Sequence, residues 1–495
     1  MENLCLCPLC GKKVKSKDLV FEFTGFIKER MKALILGGDT SKDVLSGLET
    51  FFNTHKFYES EEKLCALPRL NDQRDSSLEH EYCLPYEEIR KQIGYSTGVK
   101  SFKEWVESNI EAIVSQKYTL LLDRDKTGTD DKIRIDKVLY KDRDRTVDVA
   151  RVRRCPDPEC RGAMSYWAGR YKEISLTVLG GSRVSKSTTM TACIAAFMDQ
   201  SEDICVQPSE EDASWLLFRD NYLRRYQSGI KIEPTDTQED RIPKVSFRVR
   251  IKEKSIVLTF IDLPGEFDGI NGISNEIYRR YEDFYKNIDF VWYCTDPGEV
   301  QQLTGSSKKL LGYEENQEII STNKLASNMR NLSAFFGRAG RRIPVLYIVG
   351  KTDSEIIGEQ DKADFDLYSP KDDDKYELLD IETFYRQARK TKEYIMKYNP
   401  EIVRTFEESF KDRAYVAVSA YGYVPENGSV GMKKKPYHCR IPLYWMLALR
   451  NCMEVGLTAK RGRRRQEYAR FLKELDEDIR EKAEYNLYMN GPYKI

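Results

Sequence analysis

Residues 180–188 have the types and spacing needed to hold a polyphosphate. They follow the apolar run Ile174–Leu179 and are Gly180, Gly181, Ser182, Arg183, Val184, Ser185, Lys186, Ser187 and Thr188. In a phosphate-binding loop, backbone N–H groups surround the phosphates, the lysine reaches the outer phosphates, and the next hydroxyl binds Mg²⁺. Gly180, Lys186 and Ser187 fit the pattern G-x-x-x-x-G-K-[ST], whereas Ser185 replaces the second glycine. The segment predicts such a loop, with an ordinary Gly/Ser turn as the alternative.

A second segment supplies what a bound triphosphate needs beside that loop. The apolar stretch Ser255–Ile261 ends at Asp262, and Gly265 and Glu266 follow shortly after. A carboxylate at the carboxyl end of a strand can reach the Mg²⁺ shell, and Gly265 lets a backbone N–H approach a γ-phosphate. Glu266 would repel a γ-phosphate, which predicts slow intrinsic hydrolysis. The alternative for Glu266 is a solvated turn residue.

Two further positions have open interpretations. Thr235 lies in the polar stretch 233–243, where a threonine would meet Mg²⁺, and Thr237 is a second candidate there. Arg183, inside the loop, is either an internal arginine finger or a solvent-facing side chain. The segments 232–243 and 264–273 are the loops expected to change with the bound nucleotide.

The residues that would read a base follow two later strands. Ile343–Val349 is an apolar run followed by Gly350, Lys351 and Asp353, which resembles the guanine-specificity motif [NT]-K-x-D. Ala414–Val418 is followed by Ser419 and Ala420, which resembles the last motif of GTPases. Gly350 stands where Asn or Thr is usual, so guanine preference would rest on Asp353.

These motifs, each at a strand end and in the required order, resemble those of the P-loop GTPases of the translation-factor-related class. The resemblance spans roughly residues 172–456, and segments such as Asp262–Phe267 and Cys294–Pro297 look like bacterial double-GTPase and GTPase-associated proteins. It implies GTP/GDP and Mg²⁺ as ligands, with Ser187 and Asp262 ordering the Mg²⁺. Proteins similar to these often carry zinc ribbons and belong to multi-gene systems linked to phage defence.

The pattern of apolar segments predicts an α/β fold. Strands alternate with helical patterns after residue 172, which indicates a P-loop GTPase-like, mainly parallel sheet with helices on both faces. Helices are predicted over Lys186–Met198 and Asn275–Tyr285, and a strand is predicted over Phe290–Thr295. We expect three regions: an α+β module bearing a zinc ribbon at 1–165, the P-loop domain at 172–456, and a basic helical extension at 457–495. In the first region, a helix is predicted over Ser101–Gln116 and strands over Leu120–Val149.

Four cysteines have the spacing of two metal-binding knuckles. They are Cys7 and Cys10, followed by glycine, and Cys155 and Cys160. Four thiolates favour a closed, tetrahedral structural Zn²⁺ site. The two pairs are much farther apart than in a compact ribbon, so a long insertion must leave the site and return to it. The alternatives are free thiols, or pairing of the first two cysteines with Cys65 and Cys83.

The composition excludes several classes. The 80 basic and 80 acidic residues balance, so no whole-chain field attracts nucleic acid. The basic cluster 460–465 leaves local nucleic-acid contact open, although a solvated helix is the main interpretation. With 3 histidines, a histidine-based site is not expected. No apolar run approaches the ~18 residues of a membrane span, and scattered thiols without a signal peptide predict a cytoplasmic protein.

The motifs together predict a GTP-binding switch with slow or partner-stimulated hydrolysis. Protein partners are expected through the switch loops and the N-terminal module. Two other functions remain open at this point: a P-loop ATPase, if Gly350 signals a loss of guanine choice, and a scaffold that binds nucleotide without turnover.

Overall fold

The fold of the chain comes from a computed structural model. It describes residues 3–22, 49–50, 53, 56, 58–60, 118–123, 134–142, 145–148, 153–181, 184–198, 204–209, 212–230, 232, 244–251, 254–262, 283–311, 319–338, 343–366, 379–422, 436–450 and 455–456. The predicted helix Ser101–Gln116 and the extension 457–495 lie outside these residues.

The chain divides into two compact units. One holds residues 1–9 and 13–172, and the other holds residues 10–12 and 173–495. Residues 10–12 belong to the turn of a hairpin whose two strands, Leu4–Leu6 and Lys13–Lys15, are both in the first unit.

The described part of the first unit contains antiparallel strands. Its strands are β1 (Leu4–Leu6), β2 (Lys13–Lys15), β3 (Val20–Glu22), β4 (Tyr58–Ser60), β5 (Tyr118–Asp123), β6 (Arg134–Asp142), β7 (Arg145–Asp148) and β8 (Arg153–Arg154). They form a β1–β2 hairpin, a sheet in the order β4-β3-β8, and a sheet in the order β5-β6-β7. Strands are therefore present where the alternation of Leu120–Val149 predicts them.

The second unit contains a seven-stranded sheet with the strand order β10-β11-β12-β9-β13-β14-β16. Its strands are β9 (Lys172–Gly180), β10 (Ile204–Gln207), β11 (Lys244–Ile251), β12 (Lys254–Asp262), β13 (Phe290–Thr295), β14 (Val345–Val349) and β16 (Arg413–Ala417). The pairs β9–β13, β13–β14 and β14–β16 are parallel, whereas β10–β11 and β11–β12 are antiparallel. A parallel two-residue pair, β15 (Leu379–Asp380) with β17 (Val455–Gly456), lies outside this sheet.

Most helices of the second unit lie between its strands along the chain. They are α1 (Lys186–Met198), α2 (Ala213–Phe218), α3 (Arg224–Gln227), α4 (Pro297–Gln301), α5 (Thr322–Arg338), α6 (Glu359–Asp366), α7 (Ile381–Tyr398), α8 (Pro400–Ser409) and α9 (Ile441–Leu449). A π-helical turn, Arg219–Leu223, joins α2 to α3, and 3₁₀ turns cover Ser16–Asp18 and Gly305–Leu311. The predicted helix Lys186–Met198 is confirmed. Most of the helix predicted over Asn275–Tyr285 lies outside the described residues.

Apolar side chains on both faces explain why these strands form the centre of a sheet. Every residue of β13 and β14 is buried, as expected for parallel strands covered on both sides. On β14, Leu346 and Ile348 join the core that includes side chains of α1 and α9. Tyr347, between them, instead packs its ring 5.2 Å from that of Phe406 on α8. Since neighbouring strand residues point to opposite faces, helices cover both faces, as predicted.

Among the residues that the structure describes, none of the helices has both the length and the apolar character needed to cross a membrane.

Candidate functional site

The loop after β9 lies against the neighbouring strand without room for a side chain. Gly180 has a positive φ of +143°, and a β-carbon added there would lie 2.0 Å from the carbonyl oxygen of Cys294 on β13. Only glycine leaves the two strands in register at this point, where Gly180 pairs with Cys294. The first glycine of the motif therefore has a clear physical reason.

Ser185 adopts the backbone conformation that glycine normally supplies. Its φ is +64°, in the left-handed region, where an L-residue is less stable by roughly 1–2 kcal/mol. Its carbonyl accepts the N–H of Thr189 at 2.8 Å, in the first turn of α1. The missing glycine is thus replaced by a strained serine with a left-handed backbone.

Lys186 directs its ammonium group back over the loop. Its Nζ donates to the carbonyl oxygens of Gly180 at 3.0 Å and of Gly181 at 2.9 Å, and the residue is buried. A cation held at the centre of a turn at the sheet's carboxyl edge is suited to phosphate oxygens.

Ser187 and Asp262 meet beside this lysine. The Ser187 hydroxyl donates to Oδ2 of Asp262 at 2.5 Å, and Asp262 is buried at the end of β12. A hydroxyl and a carboxylate are hard oxygen ligands of the kind that Mg²⁺ prefers. We call Gly180, Gly181, Lys186, Ser187 and Asp262 the phosphate side.

The residues predicted to read a base lie after β14 and β16 at the same edge of the sheet. Burial raises the pKa of the Asp353 carboxyl because the charged form is desolvated, and a hydrogen bond with Ser419 acts in the opposite direction. The Ser419 hydroxyl also accepts the N–H of Gly422 at 2.8 Å, and the carbonyl of Ala420 accepts the Tyr226 hydroxyl at 2.6 Å. We call Lys351, Asp353, Ser419 and Ala420 the base side.

Lys351 is held by residues outside its own motif. Its φ is +53°, and its Nζ pairs with Oδ2 of Asp296 at 2.9 Å while donating to the carbonyl of Leu311 at 3.0 Å. Asp296 is fully buried. The lysine charge is therefore neutralised next to the base side.

Two acidic residues near the site were not among the residues predicted from the sequence to be functional. Asp296 and Glu299 are both buried and belong to the segment after β13. A β-carbon on Gly181 would lie 2.1 Å from Oε1 of Glu299. Asp296 directly follows the end of a strand, and polar residues at strand ends often form ligand sites. Its position in the sequence could therefore have identified it as a site residue. No pattern in the sequence would have identified Glu299 as a site residue.

Several predicted site residues lie outside the described part of the chain. These are Ser182, Arg183, Thr235, Gly265 and Glu266. The loops 232–243 and 264–273 lie there too, except for Ile232.

The four predicted cysteines form a cluster. The Sγ atoms of Cys7, Cys10, Cys155 and Cys160 all lie within 4.8 Å of one another. The first two are on the turn between β1 and β2. The other two are on a turn closed by the bridge between Arg154 and Ala163. The cluster could hold a metal ion.

The two turns resemble each other in their backbone. Gly11, after Cys10, has a φ of +74°, and Arg161, after Cys160, has a φ of +43°. The Gly162 N–H donates to Sγ of Cys160 at 3.4 Å. Both turns thus carry a left-handed residue directly after their second cysteine.

The sulfur separation fits shared ligation better than a disulfide. Sγ of Cys7 and Sγ of Cys160 are 3.7 Å apart. A disulfide requires about 2.05 Å, whereas tetrahedral Zn²⁺ with bonds of about 2.3 Å places two sulfurs about 3.8 Å apart. The alternative partners, Cys65 and Cys83, lie outside the described residues.

The chain is similar to solved structures of other proteins. No family model matches the chain, and no curated protein matches it. Among solved structures, it is similar to a septin GTPase domain from Chlamydomonas reinhardtii, with 16% identity over 40% of this chain and a TM-score of 0.21. The chain spans 59% of that domain's length.

A second solved structure is the signal recognition particle receptor SRb-GTP/SRX complex from Chaetomium thermophilum. The identity is 13%, the match covers 51% of this chain and 93% of the other, and the TM-score is 0.24. Both TM-scores are far below 0.5, so these similarities assign no function to the site.

Proposed function

We propose that the chain is a Mg²⁺-dependent, guanine-nucleotide-binding switch with slow or partner-stimulated GTP hydrolysis. The observation that carries the proposal is the Lys186 ammonium bound to the carbonyls of Gly180 and Gly181. It lies beside the hydrogen-bonded pair Ser187 and Asp262. Oxygens of a β- or γ-phosphate would replace the two carbonyls as acceptors.

Each described residue has a defined part in this proposal. Lys186 and the loop amides hold the phosphates, and Ser187 and Asp262 hold Mg²⁺, which would neutralise phosphate charge. The Asp353 carboxylate accepts the guanine N–H groups, and Ser419 keeps that carboxylate in place. Partner proteins would sense the nucleotide through the loops 232–243 and 264–273 and through the N-terminal module.

One titration tests this function against the two other candidates. Fluorescently labelled GTP, GDP and ATP are titrated with and without Mg²⁺, and phosphate release is followed separately. The expected result is tighter binding of GTP and GDP than of ATP, strengthened by Mg²⁺, with slow phosphate release. Tight ATP binding without a GTP preference contradicts the guanine assignment. Binding with no phosphate release, even with partners added, supports a scaffold instead.

The ATPase alternative has one observation in its favour. Gly350 contributes no side chain to the base side, and Lys351 is already paired with Asp296. Discrimination against adenine therefore rests mainly on the carboxylate of Asp353, which makes the comparison of GTP with ATP the decisive arm of the titration.

We also propose that the cysteine cluster holds a structural Zn²⁺ ion. The support is a set of four sulfurs within 4.8 Å on two similar turns. The ion would neutralise the thiolates and join both turns, which adds to the folding free energy.

Zinc content by mass spectrometry tests this site. We expect about one zinc per chain in the wild type, and a clear loss in Cys7→Ser and in Cys160→Ser. The control is Cys205→Ser, on β10 and half-exposed, which should keep its zinc. Unchanged zinc in the first two variants would rule out this ligand set.

A further inference from the structure

The base side and the phosphate side are joined through the segment that follows β13. The backbone N–H of Gly350 donates to the carbonyl of Thr295 at 2.8 Å. The next residue, Lys351, pairs with Asp296 at 2.9 Å. The base-reading loop is therefore bound by main chain and by side chain to two consecutive residues of another strand end.

Asp296 also connects the base-reading loop to the phosphate side. Its second oxygen, Oδ1, accepts the N–H of Glu299 at 3.1 Å, and this fixes the start of α4. The carboxylate of Glu299 then lies against Gly181, where a β-carbon would come within 2.1 Å of its Oε1. Both acidic residues are almost completely buried, so their positions are set by packing as well as by charge.

Position 350 is one place from which a side chain could link the two sides directly. A β-carbon placed on Gly350 would lie 3.5 Å from Oγ1 of Thr189 and 3.6 Å from the carbonyl of Val184. These are ordinary contact distances, and the φ of Gly350 is not in the left-handed region. A longer polar side chain at this position has room to reach the loop carbonyl, but glycine supplies none.

From these contacts we propose that Asp296 and Glu299 are positioning residues that couple base recognition to the phosphate-binding loop. They take the place of a side chain at position 350. A base that orders Lys351 and Asp353 then also orders Gly181, so guanine and phosphate binding strengthen each other. This inference rests on the proposed function and deepens it.

The main test is Asp296→Asn, which keeps an oxygen for the N–H of Glu299 but removes the charge that holds Lys351. Binding of labelled GDP and labelled ADP is measured in the full-length protein. We expect the GDP-over-ADP affinity ratio to fall about tenfold, within the range of ordinary coupling between sites. Adding Gly350→Asn to this variant should restore most of the ratio, because its amide can donate to the carbonyl of Val184.

Asp289→Asn is the matched control. Asp289 lies at the opposite end of β13, where its carboxylate accepts the N–H and the hydroxyl of Ser175, each at 3.0 Å. We expect this variant to lose thermal stability while keeping the wild-type GDP-over-ADP ratio. A merely structural role for Asp296 would make the two variants behave alike.

Glu299→Gln tests the other end of the coupling and serves if Asp296→Asn does not fold. It should also lower the GDP-over-ADP ratio, although Glu299 lies against Gly181 of the phosphate side rather than against the base side. The proposal is overturned if the wild type prefers GDP and both variants keep that preference, or if Gly350→Asn restores nothing. A wild type that binds neither nucleotide would instead refute the proposed function itself.

Discussion

The phosphate side and the base side lie at the same edge of one sheet, yet they are stabilised in different ways. On the phosphate side, Lys186 binds carbonyls of its own loop, and Ser187 binds the carboxylate of a second predicted motif. On the base side, Lys351 and Ala420 are held by Asp296 and Tyr226, which belong to none of the motifs. The phosphate side is thus supported by contacts among residues of the predicted motifs, whereas the base side depends on residues outside those motifs.

This difference has a physical reason. Phosphate recognition uses backbone groups and one lysine, which a short turn can arrange by itself. Base recognition needs side chains from two separate strand ends to face one ligand, and other elements must hold them there. We therefore expect substitutions on the phosphate side to act on all nucleotides equally, and those on the base side to change selectivity.

The largest effect is expected from Gly180→Ala. The added β-carbon would meet the Cys294 carbonyl at 2.0 Å with a φ of +143°, so we expect a loss of roughly 3 kcal/mol of unfolding free energy. Chemical denaturation measures it. Gly337→Ala is the control because no atom lies within 4 Å of its added carbon. Equal losses in both variants would contradict the close contact between β9 and β13.

Lys186→Ala should weaken every nucleotide to the same degree. Losing charge-assisted bonds to phosphate lowers affinity about 100-fold, which calorimetry with GTP and ATP can measure. Lys172→Ala, exposed at the start of β9, should bind like the wild type. A loss confined to GTP would place Lys186 in base recognition and remove the distinction between the two sides.

Acidification should affect the base side alone. Because burial raises the pKa of Asp353, its carboxylate becomes protonated at a higher pH than usual and then loses an acceptor for guanine. GDP affinity should fall by up to about tenfold per pH unit below that pKa, with ADP affinity changing less.

The free energy of folding depends on the protonation of Asp353 in the opposite direction from guanine affinity. Since the folded pKa is above the unfolded one, protonated Asp353 favours folding, and this contribution is lost as the pH rises through the folded pKa.

Asp353→Asn should abolish the pH dependence of the GDP-over-ADP ratio. A ratio that still changes with pH in this variant points to another titrating group.

Ser185→Gly should produce the smallest change. Relief of the left-handed serine gains roughly 1–2 kcal/mol, but the freer unfolded chain of glycine opposes it by 0.4–1 kcal/mol. We expect a net stabilisation of about 0.5 kcal/mol by thermal denaturation, with equal gains or no change in affinity for GDP and ADP. A loss of stability would mean that the serine side chain makes a necessary contact.

Much of the fold could be predicted from the sequence because its central strands are long apolar runs. The helix of the phosphate loop and the strand Phe290–Thr295 have the predicted bounds. The cluster of Cys7, Cys10, Cys155 and Cys160 is also as predicted. Each of these features follows from local pattern or from cysteine spacing.

The rest depended on three-dimensional contacts that spacing does not encode. Asp296 follows the end of a strand, but its ion-pair partner Lys351 is 55 positions away in the sequence. Cys193 and Cys439 are far apart in the sequence, yet their thiols are hydrogen-bonded, and burial raises the pKa of Cys193. The left-handed φ of Ser185 could not be read from a serine, because the same residue type favours other conformations in most turns.

The cysteine cluster also places a limit on the order of events during synthesis. Cys7 and Cys160 are 153 positions apart, and ribosomes add roughly 5–20 residues per second. The first turn leaves the ribosome long before the second, so for roughly 8–30 s half of the cluster exists without its counterpart. Closure of the cluster is then a late step that can occur only after the long insertion between the two turns has been made.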